Sequence, residues 1–380
     1  MKKFIKVIFT ITLLILLMSV FSSQYLSLSI DNLAYVLAMG IDKSDVDKLQ
    51  VTFQFSTTES SSESGSTEKS KSIVKVVDAS SLSSAINLMD SYFGKKLNLS
   101  HCKAIIFSEE LAYEGISDEI FTLINDTQIR PSSNIIISQC SAKYYIENTK
   151  PKLESILSKY YEIFDNSSSY TGYIPKSAIG DFFNSLIRKT SDPYAISGNV
   201  NNEQSENIGV AVFSGDKFTG RLSPSESIAF LTIQKKINRF LISVPDPIDN
   251  SKYVDIYISP VNSRNITVDT SSSSPYLKLK LSFKGRIYSM TNDSNYLSTD
   301  VLNTLSETCN RYLKSEISSL LYKTSRTYKS DICGLGKYAL SNFLTEKDFD
   351  EYNWLYNYKN AFFDVDIDTT IKSSLLITET

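Results

Sequence analysis

A strand–helix–strand pattern between residues 94 and 139 limits the folds open to this chain more than any other segment. The apolar run Lys103–Phe107 has the length and composition of a buried strand. Ser117 is placed to cap a following helix, and Pro131 stops that helix. A second apolar run, Asn134–Ser138, comes directly afterwards. Two short strands joined through a helix predict a parallel pair with a right-handed crossover.

A specific set of residues lies in and around this unit. The positions are Gly94, Lys96, His101, Lys103, Glu109, Glu110, Leu111, Glu114, Gly115, Arg130 and Pro131. They fall in the orders G-K-K-L, H-x-K-x-I-I-x-S-E-E-L-A-x-E-G-I and L-x-x-D-x-x-I-R-P. This combination resembles the N-terminal domain of the Ger(x)C family, the C subunits of the nutrient-germinant receptors of bacterial endospores.

The resemblance continues into the second half of the chain. The order A-V-F-x-x-D-K-x-x-G-x-L-x-x-x-E is matched by Ala211, Val212, Phe213, Asp216, Lys217, Gly220, Leu222 and Glu226. A later D-x-x-G-x-G order is matched by Asp331, Gly334 and Gly336, and Trp354 stands where the family commonly has tryptophan. The similarity extends from Leu33 to Ile371 and is weakest between residues 143 and 207.

Composition excludes several other classes of protein. The chain has 380 residues, 42% of them hydrophobic and 12% aromatic, which indicates a folded protein large enough for two domains. A formal net charge of −3 without a long basic tract argues against nucleic acid as a partner. His101 is the only histidine, so a histidine-based metal site or a Ser-His-Asp triad is not expected.

The remaining reactive side chains lack catalytic spacing. The four cysteines have no C-x-x-C spacing; buried free thiols are the expectation, with a Cys102–Cys140 disulfide as the alternative. Asp364, Asp366 and Asp368 alternate along a strand and lack the glycine and glutamate of a calcium loop. No serine lies in a Gly-x-Ser-x-Gly elbow. We therefore expect neither catalytic residues, cofactors nor metals; a surface hydrolase is the least favoured alternative.

The amino terminus has the layout of an export signal. Lys2, Lys3 and Lys6 precede the apolar run Val7–Met18. Two outcomes are open: cleavage near Ser22, which would release a secreted protein, or retention as an uncleaved anchor with the body outside. Here the chain departs from the Ger(x)C family, whose members carry a lipidated cysteine near the amino terminus. The first cysteine here is Cys102, so lipid anchoring by that route is excluded.

The overall expectation is an α+β protein of several domains, with mixed sheets packed against helices. Residues 1–30 form the signal or anchor. Residues 31–200 form an N-terminal α/β region, divisible at about residue 141. A polar linker, Asn199–Asn207, leads to a C-terminal α+β domain over residues 207–380.

Individual elements follow from local patterns. The near-continuous apolar run Ala34–Ile41, followed by alternation at Val51, Phe53 and Phe55, predicts a hairpin. Alternation also predicts a hairpin Gly209–Leu222 and strands Leu277–Phe283 and Phe363–Ile371. Capping residues predict helices that begin at Ser80 or Ser81, at Ser223 and at Ser298 or Thr299, the last a long amphipathic helix. Gly94 is predicted to end the first of these helices. Helices are also predicted over Lys150–Phe164, Lys176–Lys189 and Ser330–Asn342, and a solvated loop over Thr57–Lys71.

The family resemblance implies a function. It implies a non-enzymatic subunit on the outer face of the spore inner membrane, partnered by two membrane-embedded subunits, one multi-pass (A-type) and one transporter-like (B-type). Scaffolding or coupling of those subunits would be its role. The main alternative is a membrane-tethered extracellular module that binds a solute or peptide and is unrelated to germination. Among the matching residues, Lys103, Glu110, Arg130 and Lys217 are the candidates for an interface.

Overall fold

The computed structural model describes residues 2–22, 33–57, 71–149, 157, 159–162, 171–201, 204–249, 251–290 and 298–372. Sheet 1 contains β1 (Leu33–Lys43), β2 (Leu49–Thr57), β3 (Lys71–Ala79), β4 (Lys96–Asn98), β5 (Ala104–Ser108), β6 (Asn134–Ser138), β7 (Tyr194–Asn201), β8 (Gln204–Ser214) and β9 (Lys217–Leu222). Sheet 2 contains β10 (Phe240–Pro245), β11 (Tyr253–Asp269), β12 (Tyr276–Met290) and β13 (Phe362–Lys372).

The helices connect and cover these sheets. In chain order they are α1 (Lys2–Ser22), α2 (Leu82–Phe93), α3 (Glu109–Glu114), α4 (Ser117–Asn125), α5 (Ala142–Asn148), α6 (Ile179–Ile187), α7 (Pro224–Gln234), α8 (Thr299–Tyr322), α9 (Gly336–Ala339), α10 (Glu346–Tyr352) and α11 (Trp354–Tyr358). A π-helical turn, Lys323–Tyr328, extends α8, and a 3-10 turn, Leu340–Asn342, follows α9. The predicted α+β class with two mixed sheets and a long helix in the second half is confirmed.

Sheet 1 combines antiparallel hairpins with a parallel centre. Its strand order is β3-β2-β1-β5-β6-β7-β8-β9, with β4 beside β1. Strands β1, β5, β6 and β7 run parallel to one another. The predicted pair β5 and β6 is therefore parallel, and the crossover between the two strands contains α3 and α4. Both strands are buried along their whole length, as expected for the centre of an α/β unit.

The helices lie on both faces of sheet 1. Ile120 of α4 and Phe182 of α6 pack with Phe107 of β5 in one core, called here the first core. Tyr145 of α5 packs with Ile106 on the opposite face. The segments that follow β5 and β6 therefore leave the sheet towards opposite faces. In open α/β sheets, a crevice forms at the carboxyl ends of the strands where this reversal occurs.

Local capping explains several helix boundaries. Ser81 accepts a hydrogen bond from the Ser84 N–H at the start of α2, and Gly94 ends that helix at φ 59°. At the start of α7, Ser223 and Glu226 form a reciprocal capping box with Pro224 at the first turn. These predicted helix ends are confirmed.

Sheet 2 carries the second core on one face. Buried Leu277, Leu279 and Leu281 of β12 pack against α8, which contributes Leu305 and Leu313 among others. Strand β13 pairs in parallel with β12 and alternates between buried and exposed side chains along most of its length. The predicted strands and the apolar stripe of the long helix are confirmed.

The hairpin β8–β9 belongs to both cores. Ala211 and Phe213 face the first core, whereas Val210 and Val212, on the other face of the same strand, lie in the second core. Alternating side chains on one strand are thus buried in opposite directions. The segment predicted as the linker, residues 199–207, contributes to the hairpin β7–β8, in which Asn201 pairs with Gln204. The domain limits themselves stay a prediction.

Four sequence-based expectations differ from the structure. The helix expected to stop at Pro131 ends earlier, at Asn125. Ser117 is the first residue of α4, and Ile116 occupies the cap position without a side-chain hydrogen bond. The helix expected over Lys176–Lys189 begins only at Ile179. The single helix expected over Ser330–Asn342 was wrong: a turn with Gly334 at φ 66° precedes the short α9 and the 3-10 turn.

Two further expectations fall largely outside the described residues. They are the helix over Lys150–Phe164 and the loop over Thr57–Lys71. Within the part of the chain that the structure describes, no helix is long and apolar enough to cross a membrane. The side chains of α1 from Phe4 to Ile15 are nevertheless exposed, with Phe4 at 74%.

Candidate functional site: the junction between the two cores

The turn Gly215-Asp216, between β8 and β9, is held from two sides. On one side, the Ile116 N–H donates to the Asp216 carbonyl oxygen at 3.2 Å, which ties the turn to the α3–α4 corner. On the other side, the Gly215 N–H donates to Asp192 Oδ1 at 2.8 Å. Asp192 lies just before β7 and is buried. Two backbone groups of the turn, the Asp216 carbonyl and the Gly215 N–H, therefore fix the hairpin tip to the first half of the chain.

Asp192 also binds the second half of the chain. Its Oδ2 accepts a hydrogen bond from the Asp331 N–H at 2.8 Å, and its own N–H donates to the Asp331 carbonyl oxygen at 3.0 Å. The neighbouring Ser330 hydroxyl donates to the Phe213 carbonyl oxygen of β8. One buried carboxylate thus joins β7, the β8–β9 turn and the segment after the long helix.

Asp331 organises the next segment in the same way. Its side chain is fully buried and accepts hydrogen bonds from the Leu335 N–H at 3.0 Å, the Gly336 N–H at 2.9 Å and Trp354 Nε1 at 2.9 Å. Three donors satisfy one carboxylate, which accounts for a buried charge at this position. An aspartate that binds backbone N–H groups in this way also explains why the segment does not continue as one helix.

Gly336 is required by the close packing at this point. A Cβ atom there would lie 2.5 Å from the Thr190 carbonyl oxygen and 2.6 Å from the Trp354 ring. Thr190 precedes Asp192 in the first half of the chain, whereas Trp354 lies in α11. The family-like residues Asp331, Gly336 and Trp354 are therefore direct neighbours at the contact between the two halves.

Burial of Asp331 makes the stability of the junction depend on pH. Burial raises the pKa of Asp331 to about 6 from an ordinary value of 3.8, in spite of its three donors and with a smaller contribution from Asp192. Between these pH values the folded chain holds a proton that the unfolded chain has released. The contribution of this residue to stability is therefore largest below pH 3.8 and falls until the pH reaches about 6.

The variant Asp331→Asn tests this dependence. The quantity to compare is the unfolding free energy of the wild type minus that of the variant. We expect this difference to fall as pH rises from about 4 to 6 and to stay level at higher pH. The total fall should be roughly 1.4 kcal/mol for each unit by which the pKa is raised. Urea unfolding at a series of pH values measures the difference. A difference that is constant with pH would contradict the raised pKa. Asp192 is present in both proteins, so its own titration cancels to first order.

A crevice of about 190 Å³ lies beside this junction, at the carboxyl ends of β1, β5 and β6. Its lining is polar and consists of Asp42, Lys43, Gln50, Ser108, Glu109, Glu110, Gln139, Cys140 and Ser141. This is the place where the segments after β5 and β6 leave the sheet towards opposite faces. The crevice is the natural site for a small polar group on this sheet.

Charged residues of the crevice are mostly engaged within the protein. Asp42 accepts hydrogen bonds from the Ala142 and Lys143 N–H groups at 2.6 and 2.8 Å, at the start of α5. Burial raises the pKa of its carboxyl, and these two bonds oppose that rise. Lys43 Nζ lies 2.5 Å from Glu114. Glu110 is exposed at the rim.

An ion pair connects the crevice to the shared hairpin. Glu109, at the start of α3, pairs with Arg221 of β9. The Arg221 carbonyl oxygen in turn accepts a hydrogen bond at 2.6 Å from the hydroxyl of Tyr328, in the π-helical turn after α8. The crevice wall, the hairpin and the second core are therefore joined by direct contacts.

The four predicted interface residues lie at two separate edges of sheet 1. Lys103 and Arg130 precede β5 and β6 and lie at the amino-terminal edge, where Lys103 Nζ is 2.5 Å from Glu162. Glu110 lines the crevice at the carboxyl edge, and Lys217 follows the turn that contacts Ile116. The structure thus brings them together only as two pairs, and their role stays a prediction.

Sequence reasoning missed two of the residues that join the halves. Asp192 and Arg221 lie in no motif that singles them out, and their partners are distant in the sequence. Among the described residues, no group of three or more histidine, cysteine, aspartate or glutamate side chains could hold a metal ion. The arrangement provides hydrogen bonds and an ion pair that join the two halves, beside a small polar crevice.

Comparison with known proteins accounts for the motifs. The family model described as "Spore germination protein N-terminal domain" matches residues 27–197. The model described as "Spore germination B3/ GerAC like, C-terminal" matches residues 208–374. Together they match most of both halves of the chain, and the first range ends within β7 whereas the second begins within β8.

Two individual proteins are similar along most of this chain. YfkR of Bacillus subtilis (strain 168), named as a spore germination protein, is 21% identical in an alignment of 349 residues that covers 87% of this chain and 87% of that protein. The crystal structure of the GerBC protein aligns with a TM-score of 0.57 at 16% identity, over 88% of this chain and 96% of that one. At this identity the structural likeness shows a shared fold. The chain belongs to the GerAC-like family of spore germination proteins, the Ger(x)C family that its motifs indicate.

Proposed function

We propose that this protein is the C subunit of a spore germinant receptor and acts as a non-enzymatic coupling element. The observation that carries the proposal is the hairpin β8–β9, whose alternate side chains are buried in both cores. A strand shared in this way cannot move with one half and leave the other unchanged, because packed cores transmit displacement. The two halves should therefore respond to a partner as one body.

The contacts around the hairpin support the same role. Asp192 ties the Gly215 turn to Asp331, and Glu109 ties the crevice wall to Arg221. These contacts run from the carboxyl edge of sheet 1 to Trp354 in the second core. A subunit that bridges two membrane-embedded partners needs such a continuous set of contacts between its surfaces.

The proposed partners are a multi-pass A-type subunit and a transporter-like B-type subunit. The proposed location is the outer face of the spore inner membrane, with the N-terminal segment as the anchor. The exposed apolar side chains of α1, preceded by lysines, support this location because such a surface is unfavourable in water. An extracellular module unrelated to germination is not supported for a chain in which both halves match spore germination families.

A pull-down tests the proposal directly. Tagged full-length protein would be purified from detergent-solubilised spore membranes, and the co-purifying chains identified by mass spectrometry. Recovery of two multi-pass subunits supports the receptor assignment. Recovery of the protein alone, or of a soluble form cleaved near Ser22, would contradict it.

Charge exchange at the two edges of sheet 1 would locate the interface. The pair Glu110→Lys with Lys217→Glu changes the carboxyl edge without changing the net charge. The pair Lys103→Glu with Arg130→Glu changes the amino edge. We expect at least one pair to reduce the yield of co-purified subunits about tenfold, which corresponds to about 1.4 kcal/mol.

The melting temperature serves as the control for this comparison. Glu110, Arg130 and Lys217 are exposed, and changes at such positions rarely alter stability by more than about 0.5 kcal/mol. Lys103 forms an ion pair with Glu162, so its replacement can affect stability. The single variant Arg130→Glu is therefore measured beside the double variant Lys103→Glu with Arg130→Glu. Unchanged co-purification with both pairs would remove these residues from the interface.

A further inference from the structure

Sheet 2 leaves one of its faces exposed. Its other face is buried against α8 in the second core. On the exposed face, β12 carries Lys278, Lys280, Lys284 and Arg286 at alternate positions, and β13 carries Asp364, Asp366 and Asp368. The distribution of these charges along the strands is uneven.

At one end of the exposed face, opposite charges lie side by side. Lys278 Nζ is 3.5 Å from Asp364, and Lys280 Nζ is 4.0 Å from Asp366. At the other end of the face, the same register of β12 and β13 places no carboxylate beside the basic residues of β12. There Lys284 lies beside Thr370, and Arg286 lies beside Lys372. Positive charge is therefore balanced at one end of the face and unbalanced at the other.

The unbalanced end also carries aromatic rings. On β11, Tyr257 is the register partner of Arg286, and its ring lies 4.8 Å from that of Tyr288. The guanidinium of Arg239, just before β10, lies 5.1 Å from the centre of the Tyr257 ring. Tyr288 is 64% exposed. We call this group the basic band; it consists of Arg239, Tyr257, Lys284, Arg286, Tyr288 and Lys372.

Two carboxylates lie near the basic band. Asp255 precedes Tyr257 on the same face and accepts hydrogen bonds from the Ser243 and Ser289 hydroxyls at 2.5 and 2.6 Å. These bonds lower its pKa, so it is charged. Asp368 lies two residues before Thr370, on the same face of β13. Among the residues that the structure describes, four cations thus outnumber two carboxylates, and this part of the band has a net positive charge on a protein whose total charge is −3.

We propose that the basic band binds the anionic phospholipid headgroups of a bilayer surface. The band crosses sheet 2 from Arg239, which immediately precedes β10, to Lys372 of β13. Neighbouring strands lie about 4.8 Å apart, so its cations are spread over a surface roughly 14 Å wide. A broad array of this kind fits a plane of negative charge. Lysines and arginines near an anionic bilayer are attracted to its surface, and tyrosine favours the headgroup region.

The proposed location of the protein favours a lipid headgroup over other anions as the ligand of the basic band. The inference rests on the proposed anchoring of α1, whose exposed apolar side chains bring the body close to a membrane. Ten residues, 23–32, separate α1 from β1, and ten residues extend at most about 35 Å. The body is therefore kept within reach of the same surface that holds the helix. Contact through a basic face would fix its orientation.

Fluorescence quenching by brominated lipid tests the proposal on the full-length protein. Tyr288→Trp places an indole in the band, with Tyr92→Trp, an equally exposed position on α2, as its matched control; Tyr92 is 66% exposed. The native Trp354 is buried in both. In liposomes of equimolar phosphatidylcholine and brominated phosphatidylglycerol, we expect at least about twofold stronger quenching of the probe at position 288 than at position 92.

Charge reversal separates headgroup binding from mere proximity. In the Tyr288→Trp protein, the triple change Lys284→Glu, Arg286→Glu and Lys372→Glu should reduce the quenching to the level at position 92. The control triple, Lys95→Glu, Lys96→Glu and Lys314→Glu, has the same change in net charge and should leave it intact. High salt should weaken the effect, because the Debye length falls from about 8 Å at physiological ionic strength to about 3 Å at 1 M.

Two results would overturn the proposal. One is equal quenching at positions 288 and 92, or quenching that persists after charge reversal in the band. The other is an unquenched probe at position 288 whose emission instead shifts with poly-glutamate, which would assign the band to an acidic protein segment. Quenching reports lipid contact and co-purification reports subunit assembly, so this proposal and the receptor proposal can fail separately.

Discussion

Replacing Asp331 with alanine is expected to destabilise the protein by about 3–5 kcal/mol. The change removes the acceptor of three buried hydrogen bonds, from the N–H groups of Leu335 and Gly336 and from Trp354 Nε1. Each buried donor left without a partner costs about 1–3 kcal/mol, and relief of the buried charge offsets part of the sum. Urea unfolding followed by far-UV circular dichroism measures the loss.

Asp366→Ala is the matched control for this variant. Asp366 is also an aspartate of the second half, but it is exposed on β13 and lies 4.0 Å from Lys280. Exposed pairs of this kind contribute at most about 1 kcal/mol. If the two alanine variants lose similar stability, the hydrogen bonds of Asp331 do not hold the junction together.

Gly336→Ala is expected to cost about 3 kcal/mol for the addition of a single methyl group. Its Cβ would lie 2.5 Å from the Thr190 carbonyl oxygen and 2.6 Å from the Trp354 ring. Neither a backbone carbonyl nor a buried indole can move away freely, and overpacking of this kind costs about 1–3 kcal/mol or more. Trp354 is the only tryptophan in the chain, so its fluorescence reports directly on the displaced contact.

Gly94→Ala provides the comparison for Gly336→Ala. Gly94 ends α2 at φ 59°, and a Cβ there would meet nothing within 4 Å. Only the left-handed backbone conformation opposes an alanine, at about 1–2 kcal/mol. A larger loss at Gly94 than at Gly336 would show that the contact with Thr190 and Trp354 relaxes without strain. In addition, the emission of Trp354 should change only with Gly336→Ala.

Local signals made much of the fold predictable from the sequence. The ends of α2 and the capping box of α7 depend on a few neighbouring residues, such as Ser81, Gly94 and Ser223. Alternation along β12 and β13 depends only on the period of a strand. Such features are encoded within ten or so residues, so a reading of the chain alone can locate them.

The junction could be predicted only in part. Family-like spacing singled out Asp331, Gly336 and Trp354 but gave no reason for them, because their contacts lie with Thr190 and Asp192 on the other half of the chain. These long-range contacts are also the reason why the helix prediction for residues 330–342 was wrong. Helical composition over residues 330–342 predicted one helix, whereas the carboxylate of Asp331 takes the N–H groups of Leu335 and Gly336 and starts a new, short one.

Apart from Glu109 and Glu110, which belong to the family-like motif, the residues of the crevice had no signal in the sequence. Asp42 follows an ordinary strand pattern, and nothing near it reveals that it binds the N–H groups of Ala142 and Lys143, about a hundred residues later. Its position depends on the strand order of sheet 1. Strand order in turn depends on which segments meet in space, and periodicity along the chain does not contain that information.

The shared hairpin also determines when this protein can fold. A chain delivered amino terminus first exposes the free edge of β7 until β8 (Gln204–Ser214) arrives to pair with it. The second core waits still longer, because β13 is needed beside β12 and ends only at Lys372. Open strand edges invite aggregation and proteolysis. A truncated chain therefore keeps at least one unpaired strand edge, and we expect it to be less resistant to proteolysis than the full-length protein.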